Sequence, residues 1–350
     1  MKAAASDIRQ QPSGAARQRP PSRENGVLYA RKVAVATDDR QYRAATEKVA
    51  LLDRSERGKL ALSGDDAAAF LDSLLSNDIA GIAVGAGADA TLLTHKGRML
   101  AEVRVLRSEE ELELDTERPG LQALFDALNN FKIGYRAELH KRTLQRGLLS
   151  LIGPGTDALL GAQAPPPAEH DHVLAQLSGH TVRLIRTPLG VDVLCRSEDT
   201  EAVAAALAQA GALPIEEPAA ETVRIEHGRP RFGVEIGEDT MPQEAGLHER
   251  AVSYSKGCYV GQETVARLYW KGKPNRHLRG LRLDGPAAPG ASLYLAGKEV
   301  GSVGSFADSP RLGPIALAML RREAEPGAQL EVAGTGRRAT VVELPFTPSG

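Results

Sequence analysis

Only two cysteines, Cys195 and Cys258, occur in 350 residues, far apart and in unlike contexts, so the chain has no disulfide framework. The absence of CxxC and of any Cys/His cluster with zinc spacing argues against a self-contained metal site. There is one tryptophan, and aromatics make up 4% of the chain, so its core has to be mostly aliphatic. No apolar run reaches the roughly 18 residues that span a bilayer. Neither GxSxG nor HExxH is present. Gly85-Ala86-Gly87 and Gly153-Pro154-Gly155 are too short to cradle a phosphate. The formal charge of −2 lacks the basic excess of a general nucleic-acid or membrane-surface binder, and no direct nucleic-acid motif is found. What remains is a chain of ordinary composition, 42% hydrophobic and 25% charged, expected in a reducing cytoplasm. Its length allows two or three domains.

Residues 1–26 are Ala, Arg, Gln, Pro, Ser and Gly with almost no large apolar side chains, which predicts a disordered tail. Folded chain is expected from Val27. Val49–Ser55 and Gly58–Gly64 read as strand, turn and strand. Asp65 opens a helix whose Ala67, Phe70, Leu71, Leu74 and Leu75 form one stripe. Strands are expected at Ala90–Thr94, Met99–Leu106 and Glu111–Leu114, with Gly97 free to take positive φ in the first turn. Pro119 begins a second helix striped by Leu121, Leu124, Phe125 and Leu128. Strands follow at Ile133–Leu139, Gly147–Ile152, Val182–Ile185 and Val191–Cys195. The last of these alternates and reads Cys195 as a packed thiol. A Pro/Ala-rich surface loop spans 162–168, and His170-Asp171-His172 reads as part of a loop without a third metal ligand. Asp199 is expected to cap a helix through Gln209, closed by Gly211. Antiparallel strands alternating with helices give an α+β class. From His277 onward, short alternating strands punctuated by Gly, Pro and Asp predict a small antiparallel barrel.

Cys258 stands out. It lies in Lys256-Gly257-Cys258-Tyr259-Val260-Gly261-Gln262-Glu263, between polar, charged and flexible neighbours unlike those of a core strand. Lys256 and the later Arg267 and Lys271 are cations of the kind that favour a thiolate. The competing account is a small buried hydrophobe, the commonest fate of a free cysteine. The run continues as Thr264-Val265-Ala266-Arg267. Residues 256–267 resemble the signature of the YgfZ family, folate-binding proteins related to the T-protein (aminomethyltransferase) of the glycine cleavage system. The Lys96-Gly97-Arg98 turn matches the same relatives. Arg224-Ile225-Glu226-His227-Gly228, followed by Pro242-Gln243-Glu244, is similar to paired segments of the T-protein family.

The resemblance implies an architecture: a ring of ferredoxin-like sheet-plus-helix domains closed by a C-terminal β-barrel, with residues 27–272 forming the folate-binding region and 273–346 the barrel. It implies tetrahydrofolate, or a folate derivative, as cofactor. Glu226 falls on the carboxylate that holds the pterin ring, a planar bidentate match. Without the resemblance, Glu226 reads as a solvated charge. Arg224, Arg229, Arg231 and Arg250 are each able to meet a folate tail, and the sequence does not choose among them. The family's catalytic aspartate falls on Ala101, and Glu102, adjacent on a strand, points to the opposite face. That disfavours the aminomethyltransferase reaction. The implied function is support of iron–sulfur assembly or repair, and through it tRNA modification, with Cys258 as reactive thiol and Lys256, Gln262 and Glu263 around it. One thiol cannot hold a cluster alone. Iron–sulfur client or assembly proteins are the implied partners, and metal ligation by Cys258 is at most transient. Two alternatives are a tetrahydrofolate-dependent aminomethyltransferase or demethylase, and a folate-gated interaction module.

Overall fold

The computed structural model describes residues 38–347. The tail expected at 1–26 and the folded start expected at Val27 lie outside them. Helix α1 (Asp39–Glu47) is capped by Asp38, whose carboxylate accepts from the Arg40 and Gln41 amides. It leads into β1 (Ala50–Asp53). The next strand, β2 (Gly58–Ser63), does not pair with β1 but joins a different sheet. With β3 (Gly87–Leu93), β4 (Met99–Arg107), β5 (Glu111–Thr116) and β6 (Glu138–Lys141) it forms a five-stranded sheet in the order β3-β4-β5-β2-β6.

One face of that sheet is covered by α2 (Ala67–Leu74) and α3 (Arg118–Phe131). The α2 stripe is buried at every expected position, from Ala67 to Leu75. Strand β4 alternates strictly: Met99, Ala101, Val103 and Val105 are fully buried, while Leu100, Glu102 and Arg104 are on the other face. Ala101 lies under α3 so closely that a Cβ added at Gly120 would come within 2.9 Å of its own. A larger, charged side chain at 101 would enter an apolar core with no room for it.

The second sheet holds β1, β7 (Arg146–Ile152), β8 (His172–Leu177), β9 (His180–Thr187), β10 (Gly190–Arg196) and β11 (Leu213–Pro214), in the order β11-β1-β7-β10-β9-β8. Helix α4 (Thr156–Leu160) follows β7, and α5 (Thr200–Gln209) packs with the Leu149, Leu151, Val191 and Val193 core. Leu106, Leu148, Ile185 and Leu194 join the two sheets. Helix α6 (Glu217–Glu226) is buried almost throughout, and its Ile225 packs on the barrel. Helices α7 (His248–Ala251) and α8 (Gln262–Lys271) lead to the barrel. Its strands are β12 (Arg276–Leu283), β13 (Ser292–Leu295), β14 (Lys298–Ser309), β15 (Gly313–Arg321), β16 (Gln329–Val332) and β17 (Arg337–Val342), closed in the order β12-β15-β14-β13-β16-β17. The α+β class and the terminal barrel are therefore as expected. No helix among the described residues is long and apolar enough to cross a membrane.

Three local expectations need correction. The strand at Ile133–Leu139 is shorter and later: Ile133 is 86% exposed in a turn, and pairing with β2 begins at Glu138. The intervening Gly134, at φ +92°, breaks the extended run. Asp199 precedes α5 but makes no capping bond, because its carboxylate pairs with His180 Nδ1 at 2.9 Å and with Arg196. His172, read as loop, begins β8.

Candidate functional site

A cavity of about 210 Å³ opens where the two sheets meet α6, with a second of about 580 Å³ beside it. Ile152, Glu169, Thr187, Pro188 and Leu189 line both. The outward face of β4 supplies Glu102 and Arg104 to the first. Arg54 and Arg57 enter from the short crossing between β1 and β2. Arg104 Nε donates to Asp115 at 2.6 Å, and its Nη1 to Asp192 of β10 at 2.6 Å, so one guanidinium ties the sheets together. Arg57 is ion-paired with Asp115 and Glu117. Burial alone would raise Asp115, but Arg104 and Arg57 outweigh it and hold the carboxyl at about 2.

Arg250 of α7 reaches into this cavity, paired with Asp89 and, at 2.9 Å, with Glu102. Burial pushes the Glu102 carboxyl up to about 7, and Arg250 only partly opposes it. Asp89 moves the other way: burial would raise it, but the His170 hydrogen bond and the Arg250 charge hold it well below the usual carboxylate range. His170 sits at φ +70°, a conformation few non-glycine residues adopt, with Nε2 3.2 Å from Asp89. Asp89, Glu169 and His170 bring three donor atoms within 4.8 Å of one another. Arg250 and Arg229 already balance the two carboxylates, so this is an arginine–carboxylate lattice with little net charge to hold a cation.

Glu226 ends α6 and lines the second cavity. It is 1% exposed, so the reading of it as a solvated charge is wrong. Tyr42 Oη donates to it at 2.8 Å, Ser309 Oγ donates as well, and Arg311 Nη2 donates at 2.8 Å. Burial first, then this carboxylate, push the Tyr42 phenol up to about 12. Thus Glu226 joins α1, α6 and the end of β14. Arg224, two residues earlier, is buried with Glu221 and Glu235. Arg231 is likewise buried against Glu217 and Glu221. Among the four arginines left open by the sequence, Arg229 and Arg250 have the most exposed side chains, 31% and 28%.

Cys258 lies elsewhere, in the loop between α7 and α8, and it is exposed, whereas Cys195 is buried. Gln262 Nε2 reaches back to the Gly257 carbonyl at 3.4 Å, and Glu263 is exposed on the first turn of α8. Lys256 has a different role from the one expected. Its ammonium donates to the Leu75 and Asn77 carbonyls at 3.0 and 2.7 Å, and to Asp72, closing the end of α2. Burial lowers its pKa, and its charge is taken up there rather than left free for the thiol. Two glycines make the loop dock. Gly261, at φ +84°, packs so tightly on the Thr94–Gly97 turn that an added Cβ would lie 2.5 Å from the Thr94 carbonyl. Gly97, at φ +70°, faces Val265, Met241 and Thr264. The Lys96-Gly97-Arg98 turn and the cysteine run, 160 residues apart in sequence, are therefore in contact. Tyr254 stacks on Tyr269 at 4.0 Å and steadies α8 behind the loop.

Sequence reasoning missed Asp89, Glu102, Arg57 and His170 as cavity residues. The alternation of β4 was legible, but which face met the cavity was not. The face opposite Ala101 is the one that lines the cavity, so Ala101 does not by itself remove a carboxylate from it.

Residues 13–256 match the family model of the GCVT N-terminal domain, and residues 276–347 that of the glycine cleavage T-protein C-terminal barrel domain. The chain is 30% identical over 339 residues to an aminomethyltransferase from Symbiobacterium thermophilum, covering 87% of this chain and 88% of the relative. It is 29% identical over 319 residues to an aminomethyltransferase from Thermus thermophilus, covering 88% and 90%. Over 333 residues it is 27% identical to a putative chloroplastic transferase of Arabidopsis thaliana, covering 92% and 76%. In fold it is similar to the crystal structure of the glycine cleavage system aminomethyltransferase T from Bartonella henselae, with a TM-score of 0.79 at 24% identity over 88% of this chain and 89% of that one.

Proposed function

The chain belongs to the glycine cleavage T-protein family, and from that premise we propose that it is a folate-binding protein of YgfZ type that supports iron–sulfur cluster assembly or repair. Tetrahydrofolate or a derivative occupies the paired central cavities. Cys258 is the reactive thiol, and cluster-bearing client or assembly proteins in the cytoplasm are its partners. Modification of tRNA depends on it through such clients. The carrying observation is the contact between the Gly97 turn and the Gly261 loop, which joins the two YgfZ-like motifs and leaves the Cys258 thiol at the surface. An exposed thiol meets another protein's cluster or persulfide. A buried one, such as Cys195, does not.

The cavities fit a folate. Ligand pockets of roughly 300–1,000 Å³ are usual for molecules of that size. Arg54 lines the first cavity with a buried Nε that has no partner, and its nearest carboxylate is 3.8 Å away. Arg229, Arg250 and Arg311 supply cations suited to a carboxylate tail. Glu226, and Arg224 behind it, hold the α6 end where the pterin edge would lie. When bound, tetrahydrofolate supplies nitrogens that carry a one-carbon unit.

Two measurements test the reading. Calorimetric titration should show tetrahydrofolate binding to wild type and to Cys258→Ser alike. The variant should fail to restore iron–sulfur enzyme activity in cells lacking the protein. Full restoration by Cys258→Ser rejects the thiol role, and absence of binding to wild type rejects the folate.

A second reading, a tetrahydrofolate-dependent one-carbon transferase, is favoured by one observation: a carboxyl, Glu102, lines the cavity with one oxygen held by Arg250, and burial raises its proton affinity. Release of formaldehyde or a transferred methylene from a methylamine donor would support it.

A further inference from the structure

We infer that the outer side of α8, from the Cys258 loop to Lys273, is a docking surface for a protein that presents an acidic rim around an apolar pocket. What that protein exchanges with the thiol rests on the proposed role of Cys258. The surface itself does not.

Helix α8 has two sides. Val265 and Leu268 pack inward, into the cluster that holds Met241, Leu247 and Tyr259. Glu263, Arg267, Trp270 and Lys271, at i, i+4, i+7 and i+8, fall together on the other side, and all four are exposed. Trp270, the only tryptophan of the chain, is 69% exposed, and Tyr269 beside it 45%. The exposed ring is held in place. It stands edge-on to Tyr269 at 4.8 Å, and Tyr269 in turn stacks on Tyr254. A large ring already fixed in position costs a partner little ordering entropy. Tryptophan, tyrosine and arginine are also the residues that dominate interface energies.

The charge of this side is unanswered. In the central cavity Arg57, Arg104 and Arg250 are each ion-paired. Here Lys96, exposed on the turn against which the loop docks, and Arg267, Lys271 and Lys273 make no side-chain hydrogen bond or ion pair among the described residues. Glu263 is the only acid of α8. Beyond Lys273 the excess thins, where a shallow cavity of about 440 Å³ brings His277, Arg279 and Arg322 against Glu323 and Glu325.

These features select the occupant. Four free cations beside one carboxylate favour an acidic surface, which they would also steer into register. Single-stranded RNA needs a basic groove with successive free ring faces. Here one free ring stands on an exposed helix, and its neighbour is already stacked, so a protein fits and an RNA strand does not. The thiol lies within the same footprint. Trp270 is about 10 Å along the helix axis from Glu263, at 1.5 Å per residue, and Glu263 adjoins the loop that leaves Cys258 exposed. An interface of ordinary size, roughly 800 Å² on each partner, covers both the ring and the thiol.

The test uses the full chain in cells lacking the protein. Trp270→Ala removes the anchor, and Lys271→Glu/Lys273→Glu reverses the charge at two exposed, unpacked side chains. Each should cut restored iron–sulfur enzyme activity about tenfold or more, the scale of losing an interface anchor. Tetrahydrofolate affinity, the unfolding midpoint and the rate of Cys258 alkylation by iodoacetamide should stay at wild-type values. Full restoration by either variant overturns the inference. Should Trp270→Ala lower the unfolding midpoint, the charge reversal decides alone. Benzoylphenylalanine in place of Trp270, irradiated in the same cells, then identifies the occupant. The expected adduct is with another protein, through a peptide rich in Asp and Glu, and it should vanish when Lys271→Glu/Lys273→Glu is added. A nuclease-sensitive adduct, an adduct with a second copy of this chain, or no adduct overturns the inference. If Cys258→Ser restores activity fully while the acidic adduct persists, the thiol reading fails and the docking surface stands.

Discussion

The central cavity and the Cys258 loop are built on opposite plans. In the cavity nearly every charged side chain is fixed by a partner from another element: Arg104 spans two strands of two sheets, and Arg250 links α7 to β3 and β4. At the loop, the backbone is fixed, by Gly261 against the Thr94 turn and by Lys256 at the end of α2, and the Cys258 thiol is left exposed. The first plan pre-organises a site for a small polar ligand. The second leaves one thiol open at the surface. A protein that does both needs a scaffold rigid in both places, and only one of the two places is free to be touched by another protein.

The comparison breaks most severely at Arg57. Arg57→Ala takes one of its two arginine partners from Asp115, leaving Arg104, and the closer of its two from Glu117, leaving Arg231, and the expected loss is about 3 kcal/mol in denaturant unfolding. A loss under about 1 kcal/mol would show that the remaining lattice, Arg104 above all, holds these carboxylates without it. Acid probes the same lattice without mutation. Asp115 and Glu221 are each held at about 2, below their ordinary values of 3.8 and 4.5. Folded carboxyls depressed in this way add stability that is complete above pH 4.5 and lost as pH falls toward 2. Stability should therefore fall steeply across that window.

Glu226→Ala should weaken tetrahydrofolate binding roughly 10- to 100-fold by calorimetry, the range for a hydrogen bond to a charged group. Unchanged affinity would place the pterin away from α6. Gly261→Ala forces a Cβ into the Thr94 carbonyl at positive φ, at a cost of about 1–3 kcal/mol. It should lower complementation while folate affinity holds, since the loop and the cavity are distinct. Parallel loss of both would merge them. The smallest effects are those of the two cysteines. Cys195→Ser places a hydroxyl in the β10 core, where burial already raises the thiol's pKa, and should cost about 1 kcal/mol or more. Cys258→Ser is expected within about 0.5 kcal/mol of wild type because the residue is exposed.

Much of this plan is legible in the sequence where the chain acts locally. The α2 stripe, the Thr187–Gly190 hairpin and the barrel strands all follow from periodicity and turn residues. The family motifs likewise identify Glu226, the Gly97 turn and Cys258. What the sequence hides is where long-range partners stand. Lys256 and Cys258 are two residues apart, which suggests cooperation, but the lysine's carbonyl acceptors are some 180 residues away at the end of α2. Glu102 is discounted in the sequence for pointing away from Ala101, because strand alternation shows that two faces exist and not which one a second sheet will meet. Arg224 reads as available for a ligand, yet Glu221 one turn back and Glu235 beyond the helix enclose it.

The crossing from β1 to β2 also governs how the molecule is made. Strand β1 belongs to the six-stranded sheet, yet its neighbour β7 starts only after the whole five-stranded sheet has been written into the chain, between residues 54 and 145. As the nascent polypeptide leaves the ribosome, the first sheet can close on itself while β1 waits with its edge unpaired. The β11 partner comes later still, at Leu213. Synthesis therefore exposes a short, apolar Ala50–Leu52 edge until residues 146–152 have emerged, and the arginines beside it, Arg54 and Arg57, keep that edge charged at one end until its partner arrives.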